Sequence, residues 1–233
     1  MLVTLWVYKY ELGVYHAFVA RPTATNKQRR KETMYIPDAV FQGDKYGIPL
    51  LDLSKQAEFI VPPVRMWGQN TRRQVFTGTF GFYVKDYKFS ALWKHPENLL
   101  FSGCQTIIEP NFSTSDEMPE AVGIYGIYQK RWLSRFWQTK GINVIVDMNV
   151  SEKFQEINLL GVPDGWSSFA TRAQKGSNNL LKTMFDLACH KAGSNPKLFL
   201  VYGGGKEVEN MCNQNKWMWI PEHMAEIKAA YHG

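Results

Sequence analysis

The chain has 233 residues, of which 45% are hydrophobic and 14% aromatic. This is enough apolar material for one large core or two small ones, and it excludes a disordered chain. The 27 lysines and arginines outnumber the 21 aspartates and glutamates, which gives a net charge of +6. A positive balance favours a polyanionic partner, and we expect nucleic acid, with DNA favoured.

The cysteines point to a reducing compartment. Cys104, Cys189 and Cys212 are odd in number, widely spaced and form no C-x-x-C pair, so neither a disulfide framework nor a zinc ribbon is indicated. No stretch reaches the ~18 apolar residues that a membrane span requires. The sequence predicts a soluble protein in the cytoplasm of a bacterial or archaeal host cell, with no membrane partner.

The N-terminal quarter of the chain predicts β structure with a basic loop. Residues 1–62 carry β-branched and aromatic runs, interrupted by the polar, non-periodic segment 21–33. Residues 63–75 begin at the second of two adjacent prolines and predict an extended linker. Residues 76–233 are expected to form an α/β domain, either separate from the N-terminal region or continuous with it.

Strand and helix patterns alternate in the C-terminal region. Such an alternation predicts parallel strands joined by crossover helices, so the predicted fold class is α/β with a mostly parallel sheet and an N-terminal β-rich region. The predicted strands lie within residues 75–84, 104–110, 142–149, 167–173 and 196–205, and the predicted helices within residues 89–100, 119–140 and 178–193.

The helix predicted at residues 119–140 has the clearest periodicity. Ser115 or Asp116 is expected to cap it and Gly141 to end it. Its apolar stripe, expected to face the core, consists of Ala121, Tyr125, Tyr128, Trp132 and Phe136. The polar residues placed largely off this stripe are Lys130, Arg131, Ser134, Arg135 and Gln138.

Several polar residues lie at the carboxyl ends of the predicted strands. Glu109, Asp147 and Arg172 occupy such positions, and Tyr202 precedes three glycines and Lys206. Ligands of parallel α/β proteins bind at the carboxyl ends of the strands. Carboxylates there suit a Mg²⁺ or Mn²⁺ ion, or general acid and base catalysis. The alternative is that these residues cap the next element, and that the glycines form a tight turn in place of a phosphate cradle.

Two segments in the first third of the chain are basic, and the second of them is interleaved with Trp67 and Phe76, a combination that suits phosphate contacts and base stacking. The alternative is an ordinary solvated loop. The predicted nucleic-acid-binding residues are Lys27, Arg29, Arg30, Lys31, Arg65, Arg72 and Arg73.

Other catalytic classes are disfavoured by the absence of their motifs. The five histidines form no H-E-x-x-H and no His-hydrophobic-His triplet, which argues against zincin chemistry and against the metal site of common rolling-circle nickases. No G-x-S-x-G is present, so an α/β-hydrolase is not indicated.

Four stretches in fixed order resemble the uncharacterised family DUF4417. They are "DYKFSALWKHPENLL", "IIEPNFSTSDEMP", the helix leading into "WQTKGINVIVDMN", and "GVPDGWSSFATRAQKG", over roughly residues 75–205. The family resembled is carried largely by bacteriophages, plasmids and integrated elements, and the resemblance implies an α/β fold and a mobile-element origin without an established reaction. Asp86, Lys88 and Ser113 match its motifs. Asn111 departs from them, because it stands where the family commonly has aspartate.

These observations favour a mobile-element protein that binds nucleic acid in replication or genome maintenance. The alternative is an α/β enzyme acting on a phosphorylated or nucleotide substrate, and a virion or host-interaction protein is a third possibility. For the enzyme, we expect one acidic pocket formed by Asp86, Glu109 and Asp147, with Asn111 and Ser113 on its rim. Its negative charge would be balanced by Arg172, Lys88 or a divalent metal ion.

Overall fold

The computed structural model describes Tyr35 and residues 37–68 and 77–222, which form an α/β fold. The strands are β1 (Val64–Met66), β2 (Thr79–Gly81), β3 (Thr106–Ile108), β4 (Asn143–Asp147), β5 (Ser168–Ala173), β6 (Leu198–Gly203) and β7 (Met218–Ile220). The α-helices are α1 (Glu120–Gln138), α2 (Asn178–Ala192) and α3 (Gly205–Asn215). Short 3-10 helices lie at Leu53–Lys55, Asp86–Lys88, Ser90–Trp93, Pro96–Ser102, Glu152–Phe154 and Ile157–Leu159.

The strands form one sheet in which every neighbouring pair is parallel and the order follows the chain from β1 to β7. Sequential parallel order is the arrangement of (β/α) barrels, in which all carboxyl strand ends meet at one face. The predicted α/β class is therefore confirmed. β1 and β7 are the ends of the sheet, so the described strands make an open barrel.

The sheet is strongly curled. The Tyr83 ring, just after β2, stacks on the Tyr202 ring of β6 with 5.5 Å between centroids. In a flat sheet these strands, four spacings apart, would lie roughly 19 Å from each other. The concave face therefore closes on itself and forms an inner core that includes Met66, Ile108 and Ile145.

A second and larger core lies on the convex face. The alternate strand residues, such as Phe80, Val144 and Phe169, point outward and join a cluster beneath the helices. The two cores follow from the period-2 alternation of strand side chains, with both faces covered. This leaves the carboxyl end of the sheet as the place where polar side chains from several strands meet.

Most predicted elements are present, with differences at their ends. The short helix predicted at residues 89–100, which we expected to break before Pro96, forms two 3-10 helices that are separated at that point, because Pro96 lacks the backbone N–H that would continue the first helix. Pro119, not Ser115 or Asp116, is the N-cap of α1. α3 and β7 were not predicted. β1 falls within the segment predicted as a linker, and the division into domains stays a prediction.

The burial of α1 differs from the predicted stripe. Trp132 is buried, with its ring packed on Trp93 at 5.5 Å, but Ala121 is exposed. Lys130 and Arg131, which the pattern places largely off the core face, are 2% and 0% exposed. This part of the prediction was wrong, because periodicity treats a charged side chain as solvent-facing even where a buried carboxylate pairs with it.

Other expectations concern residues outside the described ranges. These include the predicted strands and basic loop before residue 35, and with them Lys27, Arg29, Arg30 and Lys31. Arg72 and Arg73 also lie outside, whereas Arg65 is part of β1. Within the described ranges, no helix combines the length and the apolar character needed to cross a membrane.

Candidate functional site at the carboxyl end of the sheet

Asp147, the last residue of β4, is the centre of the polar cluster and has no exposed surface. Its Oδ1 accepts hydrogen bonds from the Tyr83 hydroxyl at 3.1 Å and the Asn149 backbone N–H at 3.0 Å. Its Oδ2 accepts from the Asn111 amide at 2.9 Å and from Lys130 Nζ at 3.1 Å. Four donors from four segments thus converge on one buried carboxylate and satisfy it.

Glu109, directly after β3, forms the second buried ion pair. Arg131 Nη1 donates to both of its carboxylate oxygens, and neither side chain is exposed. The remaining guanidinium donors are also used, by the backbone carbonyls of Asn158 and Leu160. Glu109 Oε2 in turn accepts from the Asp147 backbone N–H at 3.2 Å, which links the two pairs.

Two consecutive residues of α1 therefore supply the counter-charges for two neighbouring strand ends. β3 and β4 are paired in register, with Ile108 opposite Ile145. Lys130 and Arg131 lie about 100° apart around the helix, so that one side chain reaches Asp147 and the other Glu109. A buried charge without a partner costs several kcal/mol, so these pairs must form together with the packing of α1 on the sheet.

Tyr83 and Tyr202 cover the cluster on the concave side. Burial, aided by the neighbouring Asp147 carboxylate, raises the pKa of Tyr83 well above its ordinary value, while the Arg172 guanidinium acts in the opposite direction. Tyr83 is therefore a neutral phenol whose hydroxyl donates a hydrogen bond to Asp147. The stacked rings are 5% and 6% exposed and separate Asp147 from the solvent.

Arg172 lies on the solvent side of these rings. It sits on β5 opposite Tyr202 of β6, and its Nη2 donates to Glu222 at 3.0 Å. Both side chains of this ion pair are about two-fifths exposed. An open cavity of about 510 Å³ adjoins Glu222 at the ends of β5 and β6. Its lining residues are Ala173, Gln174, Lys175, Gly204, Gly205, Lys206, Glu207 and Glu222.

The structure brings some of the predicted site residues together and separates others. Glu109, Asp147 and Asn111 form one connected cluster. Asp86 is instead half-buried at the start of a 3-10 helix and accepts from the Ser113 hydroxyl at 2.8 Å and backbone N–H at 3.0 Å. Among the described residues, Ser113 is thus the partner of Asp86, and no hydrogen bond or ion pair joins Asp86 to the buried carboxylates.

The predicted source of positive charge was wrong. Lys130 and Arg131 balance the two carboxylates, whereas Arg172 pairs with Glu222 and Lys88 lies half-buried in the 3-10 helix that begins at Asp86. Within residues 37–68 and 77–222, no group of three or more His, Cys, Asp or Glu residues is arranged to hold a metal ion. The ammonium and guanidinium groups occupy the positions beside the carboxylates that a Mg²⁺ or Mn²⁺ ion would need.

Sequence reasoning missed Lys130, Arg131, Tyr83 and Glu222 as members of the cluster. A signal existed for the two cations: they are adjacent, and Trp132 follows them directly within a helix rich in aromatic residues. Two carboxylates at predicted strand ends require counter-charges, and a helix that crosses between those strands is the nearest source. Tyr83 and Glu222 carry no such signal, because their contacts depend on the curl of the sheet.

The fold and the site together define an α/β protein with an open parallel barrel and a buried polar cluster in its mouth. Residues 41–218 match the family described as "Domain of unknown function (DUF4417)", and the chain belongs to this family. The match confirms the resemblance noted at residues 75–205 and extends it at both ends, where it includes β1 and the first residue of β7.

Two curated relatives are bacteriophage proteins. The "Gene 1 protein" of Mycobacterium phage D29 is 27% identical over 178 residues, which cover 71% of this chain and 63% of the relative. The "Gene 1 protein" of Mycobacterium phage L5 is 28% identical over 177 residues, covering 71% of this chain and 75% of the relative. The chain thus spans less than two thirds of the D29 protein. No solved structure matches it.

These relatives place the chain in a phage-associated family and support the mobile-element setting expected from the sequence. The association with plasmids and with replication stays a prediction.

Proposed function

We propose that this protein is an enzyme whose active site lies in the mouth of the curled sheet and acts on a phosphorylated or nucleotide substrate. The observation that carries the proposal is the cluster around Asp147, where charged and phenolic groups from β4, α1 and the segments after β2 and β3 converge. Active sites of parallel barrels lie at this face, built from the ends of several strands.

A purely structural role does not explain why the chain buries these charged side chains, because removing them from water costs free energy. Buried ion pairs can often be replaced by apolar residues of similar volume without loss of stability, so burial of two pairs is weak evidence for a stabilising role. Titratable groups gathered at a strand-end mouth are, by contrast, a common feature of catalytic sites.

Each residue of the cluster has a proposed role. Tyr83 stays neutral and donates its hydroxyl hydrogen bond to Asp147, so its oxygen is oriented to accept a hydrogen bond from a substrate hydroxyl or water and to position that group. Lys130 and Asn111 are positioning residues that hold the Asp147 carboxylate in place. Arg172, half-exposed on the solvent side, is the group that meets the substrate first.

The Tyr83→Phe variant tests this proposal, because it removes one hydroxyl and keeps the stacked ring. With deoxynucleoside mono- and triphosphates and a short DNA oligonucleotide as probes, we expect turnover, followed by mass spectrometry, to fall about 10²-fold, because the reacting group is no longer positioned. The free energy of unfolding should fall by only about 0.5–1.5 kcal/mol.

The matched control is Tyr128→Phe, which removes a half-buried hydroxyl on α1 away from the mouth. It should leave turnover unchanged. Absence of turnover of every probe by the parent chain would refute the proposal, and so would equal turnover by Tyr83→Phe and the parent chain.

A second candidate function is nucleic-acid binding through the basic segments, with DNA favoured. Its support is the net charge of +6 and the four cations Lys27, Arg29, Arg30 and Lys31 within five positions. The phage relatives support only the mobile-element setting in which such a role is expected. It is compatible with the proposed enzyme, since one protein can both bind DNA and act on a nucleotide.

Replacing these four cations by alanine should weaken DNA affinity on every sequence and flatten the slope of log K against log salt by up to about 3.6. Fluorescence anisotropy with single-stranded and duplex DNA at several salt concentrations measures both quantities. The control carries the same change in charge at four dispersed, exposed lysines, Lys94, Lys140, Lys182 and Lys197. If the two quadruple variants bind alike, or if the parent chain does not bind at low salt, this function is excluded.

A further inference from the structure

Arg172 occupies an unusual position for an ion-paired arginine. It lies on the inner face of β5, two residues beyond Ala170 of the inner core, and so faces the mouth of the curled sheet. Among the described residues, its side chain is bonded to Glu222 alone, through Nη2. Its Nε–H is buried and has no hydrogen-bond partner among the residues that the structure describes.

A guanidinium recognises an oxyanion best with two parallel N–H donors, such as Nε–H and one Nη–H. Glu222 uses only one of these donors, through its Oε1. The arginine is therefore only partly satisfied, and a ligand oxyanion that accepts from both donors would bind it better than Glu222 does.

Glu222 packs close to the sheet because Gly203 has no side chain. A Cβ at Gly203 would lie 2.8 Å from Glu222 Cγ, so the missing side chain leaves the space that Glu222 fills. Gly203 also has φ +84°, a conformation that other residues rarely adopt. The carbonyl of Gly203 accepts from Trp219 Nε1 at 2.8 Å, which ties this turn to β7 and thereby to Glu222.

We propose that Arg172 is the phosphate-recognising residue of the site and that Glu222 is a built-in competitor, which a substrate phosphate displaces on binding. This inference rests on the proposed function, since it names the substrate group that the same mouth takes. The phosphate joins Arg172 through Nε and Nη2, and the Glu222 carboxylate moves into the adjoining cavity.

A phosphate matches this position better than a carboxylate does. A phosphate monoester carries close to two negative charges near neutral pH, so one arginine does not neutralise it. The cavity beside Glu222 contributes Lys175 and Lys206. Lys206 Nζ forms an ion pair with Glu209 Oε2 at 3.0 Å, and Lys175 is exposed in the loop after β5.

The test is a titration of the full chain with inorganic phosphate at constant ionic strength. The readout is the ¹H–¹⁵N NMR signal of Arg172 Nε. This signal is assigned by comparison with the Arg172→Gln variant, whose spectrum lacks it. Phosphate should shift this signal. Glu222→Gln should bind phosphate about 2- to 5-fold more tightly, since it removes a half-exposed ionic competitor. Arg172→Gln should bind about 10- to 100-fold more weakly, as judged by isothermal titration calorimetry.

Asp164→Asn is the matched control. It makes the same change in net charge and breaks another surface ion pair, between Asp164 and Lys191 at 2.7 Å. Asp164 precedes β5, and Lys191 lies in the last turn of α2, before β6, so the pair lies at the amino end of the sheet, away from the mouth. Its affinity for phosphate should equal that of the parent chain.

Equal affinities of Glu222→Gln and Asp164→Asn would overturn the role of Glu222. Unchanged affinity of Arg172→Gln, or tighter binding of acetate than of phosphate, would overturn phosphate recognition by Arg172. In either case a loss of turnover in Tyr83→Phe would still support the proposed active site, so failure of this inference is distinguishable from failure of the proposed function.

Discussion

Arg131→Met is expected to lower the free energy of unfolding by about 3–5 kcal/mol. The substitution keeps much of the apolar length of the side chain but removes the charge that balances Glu109, and neither residue has exposed surface. Glu109 would remain buried without a cation, and the carbonyls of Asn158 and Leu160 would each lose a donor. Urea denaturation at neutral pH, followed by tryptophan fluorescence, measures the loss.

Two further variants separate the buried charge from other causes. Arg135→Met, one turn along α1, affects an ion pair with Asp52 at 4.0 Å that is partly exposed, and should cost about 0–1 kcal/mol. The double variant Arg131→Met with Glu109→Gln should recover part of the loss, because no unpaired carboxylate remains. A loss below about 1 kcal/mol for Arg131→Met, equal to that of Arg135→Met, would show that Glu109 is solvated.

Trp137→Ala should also lower the free energy of unfolding by about 3–5 kcal/mol, because it is a large-to-small change in the larger core on the convex face of the sheet. The Trp137 side chain has no exposed surface, and its ring stacks on Phe82 with 5.9 Å between centroids and 6° between planes. Its Nε1 donates to the Pro96 carbonyl at 2.8 Å, so the variant also leaves that acceptor unpaired. Thermal and urea unfolding of the purified variant give the change directly.

Two other substitutions of aromatic residues serve as references for this loss of stability. Trp137→Phe keeps a ring against Phe82 and loses mainly the hydrogen bond, so a cost of about 1–3 kcal/mol is expected. Phe101→Ala removes a ring that is 78% exposed and should change stability by less than about 0.5 kcal/mol. If Trp137→Ala proved as mild as Phe101→Ala, the packing of α1 over the 3-10 helices would be wrong.

The elements that the sequence predicted well are those with long, uninterrupted patterns. β4, β5 and β6 each carry apolar runs ended by polar or glycine residues, and α1 and α2 have helical periodicity over four or more turns. β1 and β7 have three residues each, which is too few to distinguish the period of a strand from that of a helix. Local patterns also indicated which residues follow the strands, and Glu109 and Asp147 were found in this way.

The remaining part of the site depends on contacts between distant parts of the chain. Tyr83 meets Asp147 and Tyr202 only because the sheet curls, and the curl results from the packing of seven strands, not from any one segment. Arg172 was correctly expected at a strand end, but its partner Glu222 lies 50 positions away. Hydrophobic periodicity likewise does not predict ion pairs in the interior. For this reason Lys130 and Arg131 were expected to lie largely off the core face.

The central claim is that the mouth of the curled sheet is the ligand site, and a crystal structure of the full chain grown with a deoxynucleoside monophosphate tests it most directly. The account predicts the phosphate within hydrogen-bond distance of Arg172 Nε and Nη2, with Glu222 moved away from the guanidinium and Asp147 still bonded to Lys130. A nucleotide bound elsewhere, with the Arg172–Glu222 pair intact at saturating ligand, would contradict it.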